Sequence, residues 1–138
     1  MGRVTTTVKV TNQIDEILAE RGFIPVEEVR SVILDDVLVD TGASQLCLPA
    51  EVVSQLGLPF VQEIEVKTII GTKTVRIFKE VTITIGEREG SFNCLELPEG
   101  EEALIGWFPL EGLGLEPDLA NQRLKVLPNS GKNNYIRI

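Results

Sequence analysis

The stretch Val37-Leu38-Val39-Asp40-Thr41-Gly42-Ala43-Ser44-Gln45-Leu46-Cys47-Leu48-Pro49 limits the fold more than any other part of the chain. Three apolar residues run into an acid, a hydroxyl and a glycine, and an apolar run then resumes. Short apolar runs on either side of small polar residues read as buried strands joined by a tight loop. A fold that buries both runs has to present the Asp40 carboxylate on the loop between them. Asp-Thr-Gly occurs once in the sequence. Acid–base chemistry carried by carboxylates alone needs two of them, one to take a proton and one to give it. A second chain is therefore expected to supply the other.

Composition removes several rival chemistries. The chain contains no histidine, which eliminates Ser-His and Cys-His nucleophile pairs and every histidine-containing metal site. Its two cysteines, Cys47 and Cys94, lie far apart in sequence, without metal-type spacing, in apolar strand-like runs. They are expected as buried free thiols, and no metal or cofactor is expected. A net charge of -8 disfavours nucleic acid as a partner, because phosphate binding needs clustered Lys and Arg. The opening residues hold no apolar signal core and no segment is long enough to span a bilayer, so no membrane partner and a cytoplasmic location are expected. The acidic run Glu99-Gly100-Glu101-Glu102 reads as a solvated turn.

At 138 residues the chain fits a single domain, 1–138, with its core over about 29–127. Val4–Val10 alternates as a strand. Asn12–Gly22 admits a short helix, with Asn12 as N-cap and Gly22 as its stop, or a turn. Val29–Leu34 and Val37–Val39 read as two strands separated by Asp35-Asp36. A short helix is expected within Leu48–Pro59, with Pro49 in its first turn and Gly57 ending it. Phe60–Ile70 and Thr72–Ile85 read as strands with Gly71-Thr72 at the hairpin tip, and Gly86–Gly90 as a second hairpin turn. Ala103–Gly106 reads as a buried strand ending in glycine. Phe108–Leu113 reads as a second short helix stopped by Gly114, Arg123–Leu127 as a late strand, and Tyr135–Ile138 as an edge strand. The sum is a mainly β chain of about eight strands and two or three short helices, closed like a barrel.

One internal echo is present. Leu56-Gly57-Leu58-Pro59 ends the first short helix, and Leu113-Gly114-Leu115-Glu116-Pro117 ends the second. Each helix follows an apolar strand broken by a small loop, which suggests two similar half-units about an approximate twofold.

The run Asp40-Thr41-Gly42-Ala43-Ser44-Gln45-Leu46-Cys47-Leu48-Pro49 resembles the active-site loop of aspartic proteases. Ala103-Leu104-Ile105-Gly106 resembles the apolar-apolar-Gly segment packed behind that loop. A single Asp-Thr-Gly in a short chain is similar to the retroviral-type proteases (retropepsins), and more closely to their single-domain bacterial relatives. The resemblance covers roughly Val29–Leu127. It implies a closed acid-protease β-barrel and a homodimer, with the Asp40 carboxylates of the two subunits forming the catalytic pair and a peptide or protein as substrate. It implies that Thr41 hydrogen-bonds across the interface and that Gly42 lets its N–H approach the carboxylates. Ala43 and Ser44 would keep the loop wall small, and Leu104, Ile105 and Gly106 would support the loop. Ile69, Ile70, Gly71 and Thr72 are the flap candidates. One departure stands out: retroviral enzymes carry Arg after the second apolar-apolar-Gly, and Trp107 stands there instead, so the interface has to be built differently. A non-catalytic dimeric peptide- or protein-binding module on the same fold is the rival reading.

Overall fold

The structure, a computed structural model, describes residues 3–127. The strands are β1 (Thr5–Asn12), β2 (Ser31–Val39), β3 (Leu46–Pro49), β4 (Phe60–Thr68), β5 (Gly71–Ile85), β6 (Arg88–Leu97), β7 (Leu104–Ile105), β8 (Leu115–Asp118) and β9 (Arg123–Val126). The α-helices are α1 (Gln13–Glu20), α2 (Ala50–Leu56) and α3 (Trp107–Leu113), with a 3-10 turn at Val26–Glu28. No helix among the described residues is long and apolar enough to cross a membrane.

Seven strands form one sheet in the order β1-β2-β7-β3-β6-β5-β4, and an additional β1–β5 pairing closes it. Six strands thus make a ring, with β4 attached outside it along β5. The fold is mainly β, as the sequence predicts. The ring carries the expected internal symmetry. β1–β2 and β5–β6 are antiparallel, β2–β7 and β3–β6 are parallel, and β3 and β7 meet antiparallel at the centre. Exchanging β1 with β5, β2 with β6 and β3 with β7 therefore leaves the pairing pattern unchanged. The echo extends to the helices. α2 ends at Gly57 (φ 63°, ψ 39°) and α3 at Gly114 (φ 69°, ψ 40°), both left-handed caps that glycine adopts without a Cβ penalty.

Inside the ring, Val8, Val10, Leu46, Leu48, Leu56, Val81, Ile83, Ile105, Leu110 and Leu113 are almost wholly removed from water. Each large aliphatic side chain so buried contributes roughly 1.5–3 kcal/mol of transfer free energy. α2 buries Val52, Val53 and Leu56, and α3 buries Pro109, Leu110 and Leu113; the aliphatic ones join the same core cluster as the strand residues.

Several elements differ from expectation. The two strands read on either side of Asp35-Asp36 are one strand, β2. Asp35-Asp36 is a bulge opposite Thr7, with Asp36 at φ 56°, where an extra residue bends a strand without ending it. The tip of the β4–β5 hairpin is Ile69-Ile70, because Thr68 pairs with Gly71 and Thr72 with Lys67, so Gly71-Thr72 begins β5 instead of turning. The second hairpin turn is only Gly86-Glu87, since Ile85 pairs with Arg88. Of the two readings open for the 12–22 segment, helix or turn, the structure takes the helix, α1. Asn12 caps it by accepting from the Asp15 N–H at 3.0 Å. Pro49 ends β3 and precedes α2 instead of lying in its first turn. β8 is an addition: it forms a two-stranded sheet with β9. The expected Tyr135–Ile138 strand lies outside the described residues.

Candidate active site

The loop carrying Asp40 leaves the end of β2 and enters β3. Both strands are fixed by the same short strand between them: β7 pairs with Val39 on one side and with Leu46 on the other. β2 and β3 therefore do not pair with each other across their short loop, and β7 stands between them. Leu104-Ile105 fills that place.

Backbone hydrogen bonds then fix the loop. The Asp40 N–H donates to Ile105 O at 3.0 Å, and the Ala43 N–H donates to Asp40 O at 3.0 Å. From the other side Gly106 N–H donates to Gln45 O at 2.9 Å, Trp107 N–H to Ala43 O at 2.9 Å and Phe108 N–H to Ser44 O at 3.1 Å. Ile105 and Gly106 thus bond to the two ends of the loop, and Leu104 pairs with Leu38 and Cys47 on the flanking strands. A Cβ on Gly106 would meet Gln45 N at 2.5 Å, Ala43 O at 2.6 Å and Ser44 C at 2.6 Å. All three atoms are backbone, so no side chain can rotate away to make room.

The Asp40 carboxylate is half-buried, and its Oδ1 accepts the Gly42 N–H at 3.0 Å. A Cβ at Gly42 would lie 3.2 Å from that same oxygen. Thr41 and Ser44 are exposed and Ala43 is half-buried, so the rim of the loop is small and open. Cys47 lies behind it, buried, and burial pushes its thiol up to about 11, with the Asp40 charge adding to the effect. Burial likewise pushes Cys94 up to about 12, and both cysteines are free.

The four flap candidates lie at the free end of the β4–β5 hairpin. Ile69 and Ile70 are fully exposed and form the two-residue loop, Gly71 sits at φ 130°, and Thr68 Oγ1 donates to Gly71 O at 2.6 Å. At its base the hairpin is held to β6 by Arg76, which donates from Nε and Nη2 to the two Glu96 oxygens at 2.8 Å each. Among the described residues no group of three His, Cys, Asp or Glu side chains is placed to hold a metal ion.

Two contributors are not apparent from side-chain pattern. Gln45 supports the site through its carbonyl, and a backbone contact leaves no mark on residue type. Arg88 is buried and donates from Nη1 to Leu113 O at 2.9 Å and from Nη2 to Leu127 O at 2.5 Å, tying the end of α3 to the chain beyond β9. Arg88 opens β6 instead of lying in a Gly86–Gly90 turn, and its two acceptors lie 25 and 39 residues away, a distance at which local pattern carries no signal.

The sequence model of a family described as aspartyl protease matches residues 28–107. No curated protein matches the chain. The matched segment runs from the strand before Asp40 to Trp107, takes in the loop, the hairpin and the β7 support, and spans more than half of the sequence. The chain belongs to the retropepsin-like aspartyl protease family.

Proposed function

We propose that this protein is an aspartic endopeptidase that acts as a homodimer, with the two Asp40 carboxylates as its catalytic pair. The observation that carries this reading is the Asp40 loop itself. Its backbone is bonded to β7 and α3 from both ends, yet its carboxylate sits at an open rim with one such group per chain.

Two carboxylates about 3 Å apart cannot both ionise, so one retains a proton, as in the aspartic-protease dyad. The ionised Asp40 removes a proton from a water whose oxygen attacks the scissile carbonyl carbon. The protonated Asp40 gives its proton to the carbonyl oxygen as the C=O double bond opens. The tetrahedral species then collapses as the C–N bond breaks and a proton passes to the leaving amine. The proton belongs to the pair, not to either residue. Gly42 N–H holds one carboxylate oxygen, the exposed Thr41 hydroxyl is available to the facing loop, and the β4–β5 hairpin supplies a cover for an extended peptide.

Asp40→Asn tests the reading. Cleavage of unfolded protein or peptide should be lost while the fold persists, and wild-type turnover by this variant would sink the proposal. The rival reading, a dimeric peptide-binding module without turnover, draws on Trp107 in place of the expected Arg and on a flap tip of two isoleucines in place of glycines. Peptide binding that is unchanged in Asp40→Ala and never followed by cleavage would favour it.

A further inference from the structure

The β4–β5 hairpin has two unlike faces. Side chains alternate along a strand, and residues paired directly across a ladder share a face. One face carries Glu63 opposite Arg76, Glu65 opposite Thr74 and Lys67 opposite Thr72, so charges of both signs stand together there. The other carries Ile64 opposite Val75 and Val66 opposite Lys73. On this second face Ile64, Val66 and Val75 are half-buried, and Lys73 is the only charged side chain between Gln62 and Ile77. Lys73 is exposed and makes no ion pair among the described residues.

The second face continues past the base of the hairpin. Ile77 pairs with Leu95, Leu95 with Cys47, Cys47 with Leu104 and Leu104 with Leu38. They form one apolar row across the sheet, on the side away from the core residues Ile105, Leu46, Cys94 and Phe78. Leu38 lies two residues before Asp40, the spacing that returns a strand side chain to the same face. The Asp40 charge also acts on Cys47 in that row. The apolar row thus leads from the Asp40 loop to the hairpin, and Lys73 stands at its far end. A row of this kind suits an extended peptide with apolar side chains and one acid. We propose that Lys73 is a specificity-determining residue that selects an Asp or Glu side chain of the substrate, an assignment that rests on the endopeptidase reading. The net charge of -8 makes the selection positional. An acid elsewhere along the peptide meets an acidic surface, and only the position within reach of Lys73 gains from carrying one. A homodimer holds two copies of Lys73, so the preferred acid should fall at one position on each side of the cleaved bond.

The probes are synthetic peptides of one neutral, apolar sequence in which a single Glu is moved from position to position, with matching Gln and Lys sets. Values of kcat/KM are measured for the unmodified chain, Lys73→Gln and Lys73→Glu. For the unmodified chain, Glu should exceed Gln by roughly threefold or more at the position facing Lys73, the scale of a charge contact beneath a closed hairpin, and should fall below Gln elsewhere. Raising the salt should shrink the preference. Lys73→Gln should remove it, and Lys73→Glu should reverse it so that the Lys peptide is cut best at that same position. Such a reversal is a response that a merely structural lysine would not give. A Glu scan with no preferred position overturns the inference, and so does a preference that survives in Lys73→Glu. If the unmodified chain cuts none of the peptides, the endopeptidase reading falls by itself. The affinities of fluorescently labelled Glu and Gln peptides for the unmodified chain and Lys73→Gln then decide the role of Lys73. Tighter binding of Glu that vanishes in Lys73→Gln upholds it, and equal binding overturns it.

Discussion

Gly106→Ala should damage this protein more than any exposed single-methyl change. The added Cβ would approach Gln45 N at 2.5 Å, Ala43 O at 2.6 Å and Ser44 C at 2.6 Å, well inside van der Waals contact. None of these atoms can leave without moving the backbone of the Asp40 loop. Overpacking of this kind costs roughly 1–3 kcal/mol. Relieving it by moving the loop weakens the bonds from Gly106, Trp107 and Phe108 to Gln45, Ala43 and Ser44, each contributing about 0.5–1.5 kcal/mol. Moving the loop relieves part of the overpacking, so the two costs overlap and the loss is about 3–5 kcal/mol, inside the roughly 2.5–7.5 kcal/mol of their full sum and a large part of the roughly 5–15 kcal/mol that holds a domain folded. It should lower the melting temperature by roughly 12–20 °C for a chain of this size. Urea unfolding with linear extrapolation measures the loss directly. Gly100→Ala is the comparison: its Cβ would meet nothing within 4 Å, and only its φ of +91° strains it, at a cost of about 1–2 kcal/mol. If Gly106→Ala loses no more than Gly100→Ala, the close approach of β7 to the Asp40 loop is not what supports the site.

The remaining outcomes concern Asp40, Asp15 and the two cysteines. Asp40→Asn should reduce cleavage by about a thousandfold or more, the scale of losing an essential acid or base, while changing the unfolding midpoint little, since its carboxylate makes one hydrogen bond, to Gly42. Asp15 is buried and its side chain accepts from Arg30 Nε at 2.8 Å and Nη2 at 3.1 Å, which holds its carboxyl below the usual carboxylate range. A lowered folded-state value contributes stability that is present above the unfolded value and lost as pH falls through the folded one. Urea midpoints of wild type and Asp15→Asn should therefore converge as pH drops below about 4, and a constant difference down to pH 2 would refute the linkage. Cys47 and Cys94, pushed up to about 11 and about 12, should react slowly with a thiol reagent at pH 8 in the native protein and rapidly in denaturant. Rapid labelling of both in the native state would show that the β3–β6 region is open.

Much of the fold could be read along the chain because local rules govern it. The α2 and α3 stops follow from a glycine placed just after an apolar turn, and both glycines adopt the left-handed cap. The α1 cap follows from Asn12, whose side-chain oxygen meets a free N–H of the first turn. Readings failed where pairing between distant strands decided the outcome. Asp35-Asp36 looks like a strand break because two acids disfavour a strand, yet β1 opposite it continues and turns the pair into a bulge. Gly71-Thr72 looks like a turn because glycine permits one, yet the register between β4 and β5 places the turn at Ile69-Ile70. β8 escaped notice because Leu115–Asp118 contains a proline and becomes a strand only through β9.

Residue order alone puts a carboxylate on a small loop between two buried strands and excludes any histidine chemistry beside it. It also determined that Leu104-Ile105-Gly106 is the apolar segment with a glycine at its end. Why that glycine is needed emerges from long-range packing. Residues more than sixty positions apart come to 2.6 Å of where a Cβ would stand, and no local pattern encodes an approach between backbones. Tertiary structure likewise placed Trp107 and Phe108 on the Asp40 loop and left them half in water, because exposure is a property of what packs on a residue and not of the residue itself.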